Sequence, residues 1–359
     1  MYVEKLSLVD FRNWSELNIG FQSDKLTFIL GDNAQGKTNI LEGIYFGARH
    51  KSFRSSERLP LIREGAEQSI IRIEVLSRNR RRTIASQINR YSRDRVLING
   101  KQTVRFDGLL YDFPMVVFQP DDLSIIKDSP SYRRSYIDEA VESVDVQYGQ
   151  LSSQYDRLLR QRNNLLRSIG NRPGPSEILT LDVWDEQLSD AAEKITLRRK
   201  EGLEELSDFI LSSYRRISGD NKRIELQYAQ SWSDSVLSSL RKTRENDLRK
   251  QSTGIGPHRD DIVINLDGFN SRNSVSQGEQ RTLAVVLKLA SATMIEKVTG
   301  ETPVVLLDDI VSEFDSKRVT RLFESLPSGQ IFVSGTFIPD GLSGSVVVEI
   351  ERGTLHGAS

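Results

Sequence analysis

The chain is 359 residues long, enough for about two domains with an ample core. Its 49 basic and 50 acidic residues leave a net charge of −1, so the average composition marks no polyanionic partner and only a local excess of charge could. The absence of cysteine excludes disulfides and thiolate-ligated metals, three scattered histidines (His50, His258, His356) make a poor transition-metal set, and no uncharged apolar run is long enough to span a bilayer. The first residues, MYVEKLSLVDFRNW, carry charge throughout and have no apolar h-region, so the expected location is the cytoplasm.

From Met1 to about Gln119 the pattern is mainly of short strands: VEKLSLVDF, KLTFILG, SIIRIEVL, RTIASQI, RVLINGK and PMVVF, with one helix after Lys37. After Pro130 the period changes. Ile137, Val141, Val144, Tyr148, Leu151, Tyr155, Leu158, Leu165 and Ile169 recur at helical spacing, which predicts one long amphipathic helix. NRPGPSE interrupts it, and a second stripe runs from Trp184 to Ile217. Two such helices joined by a Pro/Gly loop are expected to pack antiparallel. A strand, RIELQY, and a further helix lead to about residue 250, and then a β-rich pattern resumes: DDIVINL, a helix from Gln277, PVVLLDD, QIFVSGT and SVVVEIE. The expected organisation is one α/β domain split by a helical insert, with boundaries at 1–122, 123–254 and 255–359.

Between the strand LTFIL and the helix TNILEGIYFGA stands Gly31-Asp32-Asn33-Ala34-Gln35-Gly36-Lys37-Thr38. This is G-x-x-x-x-G-K-[ST] in the context that a phosphate loop requires. Small residues let successive amides close on a phosphate at a helix N-terminus, Lys37 neutralises the β/γ oxygens of ATP, and the Thr38 hydroxyl ligates Mg2+. Such a loop needs an acidic residue at the end of a neighbouring buried strand, and VVLLDD supplies it: Asp308 as the Mg2+ partner and Asp309 to polarise the attacking water. About one helix upstream lies SVSQGEQRTL. Ser276 and Glu279 have capping-box spacing, and the same helix start offers free amides to an anion, so both readings stand.

SQGEQ before VVLLDD resembles the signature loop of the ABC-type ATPases. That resemblance implies that Ser276, Gly278 and Glu279 meet the γ-phosphate held by the P-loop of a second copy, so that ATP joins a homodimer. It further implies that Gln119 is the Q-loop glutamine, a metal ligand and part of the hydrolytic set with Lys37, Asp308 and Asp309. Ser312-Glu313-Phe314-Asp315 resembles the D-loop, and Phe11-Arg12-Asn13-Trp14 the strand end whose Arg12 and Asn13 touch nucleotide in SMC-type heads. Thr336 stands where the family's switch histidine is missing. With Asp309 in place of the usual glutamate, slow turnover is expected.

The helical insert of about 120 residues is too short for an SMC coiled coil. FRNW, GDNAQGKTNILE, HKSFR, FQPDDL, GPHRDD, SQGEQR and LLDDIVSEFD in this order resemble the RecF family of bacterial DNA-repair ATPases, over residues 1 to about 340. The implied fold is an α/β ABC-type ATPase head, with a mixed P-loop sheet, flanking helices, a β-rich N-terminal subdomain and a short helical lobe. The charge pattern agrees. Between Arg49 and Arg105 there are fifteen basic against five acidic residues, a local excess of ten, which is the footprint of phosphate-backbone binding. Arg54, Arg78, Arg80, Arg81, Arg82, Arg93 and Arg95 are its expected DNA contacts, without base reading. The resemblance implies an ATP-dependent clamp on duplex, gapped or junction DNA that works with RecR and RecO in RecA loading. A transport ATPase subunit and a non-hydrolysing ATP-binding scaffold are the alternatives.

Overall fold

The computed structural model describes all residues except 23–25, 104–108, 171–172, 341, 343–345, 352–353 and 359, and only the backbone of 110, 312–313, 351 and 354–358. Arg105, counted in the basic excess, and parts of the C-terminal GTLHGAS lie outside the described residues. In the D-loop stretch, the side chains of Ser312 and Glu313 do as well.

The N-terminal part carries β1 (Tyr2–Phe11), β2 (Trp14–Gly20), β3 (Leu26–Leu30), α1 (Lys37–Arg49), β4 (Gln68–Ser77), β5 (Arg80–Asn89), β6 (Arg95–Ile98), β7 (Lys101–Thr103), α2 (Leu109–Asp112) and β8 (Met115–Phe118). The middle carries α3 (Ser124–Lys127), α4 (Pro130–Val144), α5 (Val146–Ile169), α6 (Pro175–Ser218), β9 (Ile224–Ala229), α7 (Val236–Lys250), β10 (Asp261–Leu266) and β11 (Phe269–Asn270). The C-terminal part carries α8 (Gln277–Thr299), β12 (Val304–Leu307), α9 (Ser316–Ser325), β13 (Ile331–Gly335), β14 (Val346–Glu351) and β15 (Thr354–Ala358).

The chain forms two compact units. One comprises Met1–Asp122, Ser213–Gly219 and Val285–Ser359, and the other Leu123–Ser212 and Asp220–Ala284. The expected return to the head at residue 255 is therefore corrected: 255–284 belongs to the helical unit. The cause is strand pairing, because β10 runs antiparallel to β9 from Asp261↔Ala229 to Leu266↔Ile224, while Asp261 is also gripped by Arg133 of α4 at 2.8 and 3.1 Å.

In the first unit, β15-β14-β3-β13-β12-β8 form one sheet, parallel from β14 to β8. Its strands FIL, FVS and VVLL are buried almost throughout, as parallel strands covered on both faces should be. A second, antiparallel sheet has the order β2-β1-β4-β5-β6-β7. The sequence reading missed β2, although Trp14, Leu17 and Ile19 turn inward. Residues from both sheets and from α1, among them Leu6, Phe11, Ile40, Ile44, Ile73, Leu306 and Phe332, share one core. At Gly47 the helix approaches β4 so closely that a Cβ would stand 2.5 Å from the Ile73 side chain.

In the second unit, the predicted single helix is two, because Asp145 leaves helical geometry and its carboxylate caps α5 by accepting from the Gln147 amide at 2.9 Å. Helices α5 and α6 pack antiparallel, since Arg162 bonds Asp185 whereas Leu166, one turn on, clusters with Leu181, one turn back. Arg162 is fully buried and also binds Asp247 and Thr253, both at 2.8 Å, tying α7 and the following turn to this pair. GPHRDD closes the same network. Asp260 accepts from Tyr228 Oη and from the amide and hydroxyl of Ser231, all at 2.7 Å. Burial lowers the His258 pKa to about 4, so the ring is neutral at pH 7, donates from Nε2 to the Thr253 carbonyl and accepts from Tyr155 at Nδ1. No helix among the described residues is long and apolar enough to cross a membrane.

Candidate functional site

Three adjacent parallel strands bring the phosphate-loop residues together. The chain leaves β3 into Gly31 and enters α1 at Lys37, while β13 lies between β3 and β12, and β12 leads directly into Asp308. Gly36 caps α1 at φ 102°, and a Cβ there would stand 2.5 Å from the Asn13 side chain, so only glycine fits. Lys37 is almost wholly buried and donates to the carbonyls of Gly31 and Asp32 at 2.8 and 2.9 Å. A cation folded onto two carbonyls of its own loop is poised to meet an anion there. Asp32, Asn33 and Ala34 form the exposed lip, and the Gln35 carbonyl accepts from Asn13 Nδ2 at 3.2 Å.

Thr38 Oγ1 donates to Asp308 Oδ1 at 2.7 Å, and Ser334 Oγ of β13 donates to the same oxygen at 2.7 Å. Burial pushes the Asp308 pKa up, opposed by these two hydroxyls and by the charge of Arg54, and reinforced by Asp309. Asp309 turns out of the strand at φ 49°, and its amide donates to Ser334 Oγ at 3.0 Å. Ser334, fully buried, thus orders both aspartates. Its signal in the sequence was a lone hydroxyl in the apolar strand IFVSG. Gln119 leaves β8 beside Asp308, since Leu307 pairs with Phe118 and the Asp308 amide donates to the Phe118 carbonyl at 2.8 Å. Thr336 is exposed just beyond β13.

Arg12, expected at nucleotide, gives one guanidinium edge, Nε and Nη2, to Glu42 of α1, at 2.8 and 2.7 Å. Glu42 is fully buried and also accepts from Ser52 at 2.5 Å. Sequence reasoning missed Glu42, whose signal was an acidic residue on the buried stripe of TNILEGIYF, one turn after Thr38. Arg54, assigned to DNA from charge alone, lies beside this helix, 2.9 Å from Asn39 Oδ1 and 3.7 Å from Glu42. Asn39 in turn donates to Asn13 at 2.7 Å. Arg12, Asn13, Asn39, Arg54, Arg63 and Arg90 line an open basin of about 1030 Å³ next to the phosphate loop.

The other expected DNA contacts divide. Arg78 stacks on Tyr111 at 3.8 Å, Arg81 is bidentate to Glu4 at 2.6 Å, and Arg82 pairs with Asp112 at 3.0 Å. These carboxylates come from outside the basic segment and offset part of its excess. Arg80, Arg93 and Arg95 are exposed. Arg95 pairs with Gln87 across the sheet, so Arg80 lies seven residues, about 23 Å, from the Arg93 and Arg95 end.

In the second unit, Ser276 and Glu279 form the capping box. The Ser276 amide and hydroxyl donate to Glu279 Oε2 at 2.9 and 2.7 Å, and the Glu279 amide donates back to Ser276 Oγ at 3.3 Å. Gly278 follows within the first turn of α8. Bonds from Lys222 and Ser276 hold the Glu279 pKa down to about 2.

Comparison with known proteins gives the family. Residues 2–335 match the model of the RecF/RecN/SMC N-terminal domain family. The DNA replication and repair protein RecF of Agathobacter rectalis is 37% identical over 337 residues, covering 94% of this chain and 92% of that protein. A solved structure of the recombination mediator protein RecF with ATP, in the RecFOR pathway, is 30% identical, covers 99% of this chain and 97% of its own, and superposes with a TM-score of 0.91. An Smc head bound to the C-terminal winged-helix domain of ScpA shares the fold alone, at 18% identity, 99% and 96% coverage and a TM-score of 0.59. A transport subunit is thereby set aside: the chain belongs to the RecF family of DNA replication and repair proteins, ATP-binding ABC-type ATPase heads of the RecF/RecN/SMC class.

Proposed function

We propose that this chain is an ATP-driven DNA clamp with slow hydrolysis, acting in recombinational repair. The observation that carries the reading is the convergence of Lys37, Thr38, Asp308 and Ser334 at the ends of three parallel strands, 2.7 Å bonds joining the last three. The residues fit ATP with Mg2+: a buried lysine on a glycine loop for the β/γ oxygens, and a hydroxyl and a carboxylate already side by side, with Gln119 adjacent, for the metal. Bound Mg2+ would neutralise the phosphate oxygens. Asp309, held by Ser334, orients and polarises the attacking water.

Ser276 and Gly278 meet the γ-phosphate of a second copy, so that ATP favours the dimer and hydrolysis releases it. The Ser276 hydroxyl can cap its helix and still turn its proton to a phosphate oxygen. DNA binds by its backbone along the arginine-lined basin and the Arg93–Arg95 end of the antiparallel sheet, without base reading. The RecFOR context of the ATP-bound relative supports partnership with RecR and RecO in RecA loading.

Sedimentation velocity with and without Mg-ATP tests this, for the wild type and Ser276→Arg. An ATP-dependent dimer lost in the variant supports the clamp. Monomers throughout, with ATP bound, leave SQGEQ as the capping box that its hydrogen bonds describe, and leave the chain an ATP-binding scaffold.

A further inference from the structure

The signature loop carries a charge that opposes its proposed ligand. Glu279 Oε2 sits within 2.9 Å of the Ser276 amide and 2.7 Å of its hydroxyl, so a carboxylate occupies the ground that an incoming phosphate would approach. Like charges at such range raise the free energy of approach, and the positive end of one helix offsets only part of that. Something must balance Glu279 before the loop can accept an anion.

The second unit supplies a cation from far along the chain. Lys222, in the connection between α6 and β9 and 57 residues from Glu279, places its ammonium in contact with Glu279 Oε1. The lysine is about one third exposed and the glutamate about one quarter, so the pair is at the surface where a partner would dock. The two carboxylate oxygens are shared out. One faces Lys222 and the other holds both donors of Ser276, which fixes the serine on the first turn of α8.

We infer that Lys222 is a positioning residue of the signature loop, which neutralises Glu279 and seats it against Ser276 so that the helix start receives the γ-phosphate of a second copy of this chain. This rests on the reading of Ser276 and Gly278 as contacts across an ATP dimer. Lys222 acts through Glu279 and touches no phosphate. Its loss exposes the glutamate charge, and removing that charge as well makes the lysine dispensable.

A double-mutant cycle separates these roles. Full-length wild type, Lys222→Met, Lys222→Arg, Glu279→Gln and the Lys222→Met/Glu279→Gln pair are compared by sedimentation velocity in Mg-ATP. Binding of a fluorescent ATP analogue to the monomer, and nucleotide-free melting, report on nucleotide affinity and folding. The expected result is a dimer at least tenfold weaker in Lys222→Met, kept in Lys222→Arg, and restored in the double variant to within threefold of Glu279→Gln, with monomer affinity changed less than twofold. A double variant as weak as Lys222→Met overturns the inference, since the lysine then acts on phosphate itself. So does a Lys222→Met protein that dimerises like the wild type. A wild type that binds the analogue yet stays monomeric defeats the underlying dimer reading, a different failure.

Discussion

Thr38 Oγ1 and Asp308 Oδ1 stand 2.7 Å apart across 270 residues of chain. The bond joins the phosphate loop to the acidic strand end, and it is made by an aspartate whose burial favours the protonated form. A carboxyl with a raised pKa lowers stability once it ionises. The loss begins as pH rises through the unfolded value of 3.8 and is complete above the raised folded one.

Asp308→Asn keeps an acceptor for Thr38 and Ser334 and removes the buried charge. The nucleotide-free variant is therefore expected to melt about 2–4 °C higher at pH 7, equivalent to roughly 1 kcal/mol, with the advantage shrinking toward pH 4. ATP turnover is expected to fall by at least a hundredfold. Scanning calorimetry across pH and a steady-state ATPase assay check both halves, and a lower melting temperature at pH 7 would contradict the electrostatic account.

Lys37 spends its donors on the Gly31 and Asp32 carbonyls, bonds that serve the loop more than the core. At 100 times the Kd, Mg-ATP should stabilise the wild type by about 2.7 kcal/mol. For Lys37→Ala the same ATP concentration should give no measurable shift in Tm.

The arginines of the antiparallel sheet should differ in their effect on DNA. Removing Arg93 and Arg95 together should weaken DNA binding uniformly across sequences and reduce the log–log salt slope by about 2. Arg81→Ala should change the slope little, because Glu4 already takes its Nε and Nη2 and neutralises its charge. Fluorescence anisotropy titrations at several salt concentrations give these slopes. Equal effects from the two variants would place DNA along the whole sheet.

Arg162 lies fully buried between Asp185 and Asp247, whose side chains are also buried. Arg162→Ala leaves the buried Asp247 without its cation and Asp185 with Arg244 alone, and should cost about 3–5 kcal/mol in urea denaturation of the full chain. Burial already raises the Asp247 pKa against the pull of Arg162, so the variant should recover part of that loss at low pH, where the carboxylates are protonated. Lys194→Ala, which removes an exposed pair with Asp190, should stay within about 0.5 kcal/mol.

What local sequence determines here is whatever contiguous residues can encode. A glycine turn between strand and helix specifies the loop at Gly31–Thr38, a buried apolar run ending in two aspartates specifies the strand that leads to Asp308, and S-x-x-E before an apolar run specifies the cap. The periods of 2 and 3.6 likewise assign the main strands and the long helices. Tertiary structure alone decided the rest. Arg12 meets Glu42, Ser334 meets Asp308, Arg81 meets Glu4 and Lys222 meets Glu279 across 30, 26, 77 and 57 residues. A count of charges along the chain places ten unmatched cations near the start, but Coulomb energy depends on distance in space, and folding brings carboxylates from other strands onto several of them. The second unit also keeps residues 255–284 because backbone hydrogen bonds join β10 to β9, a choice of partner that no local pattern contains.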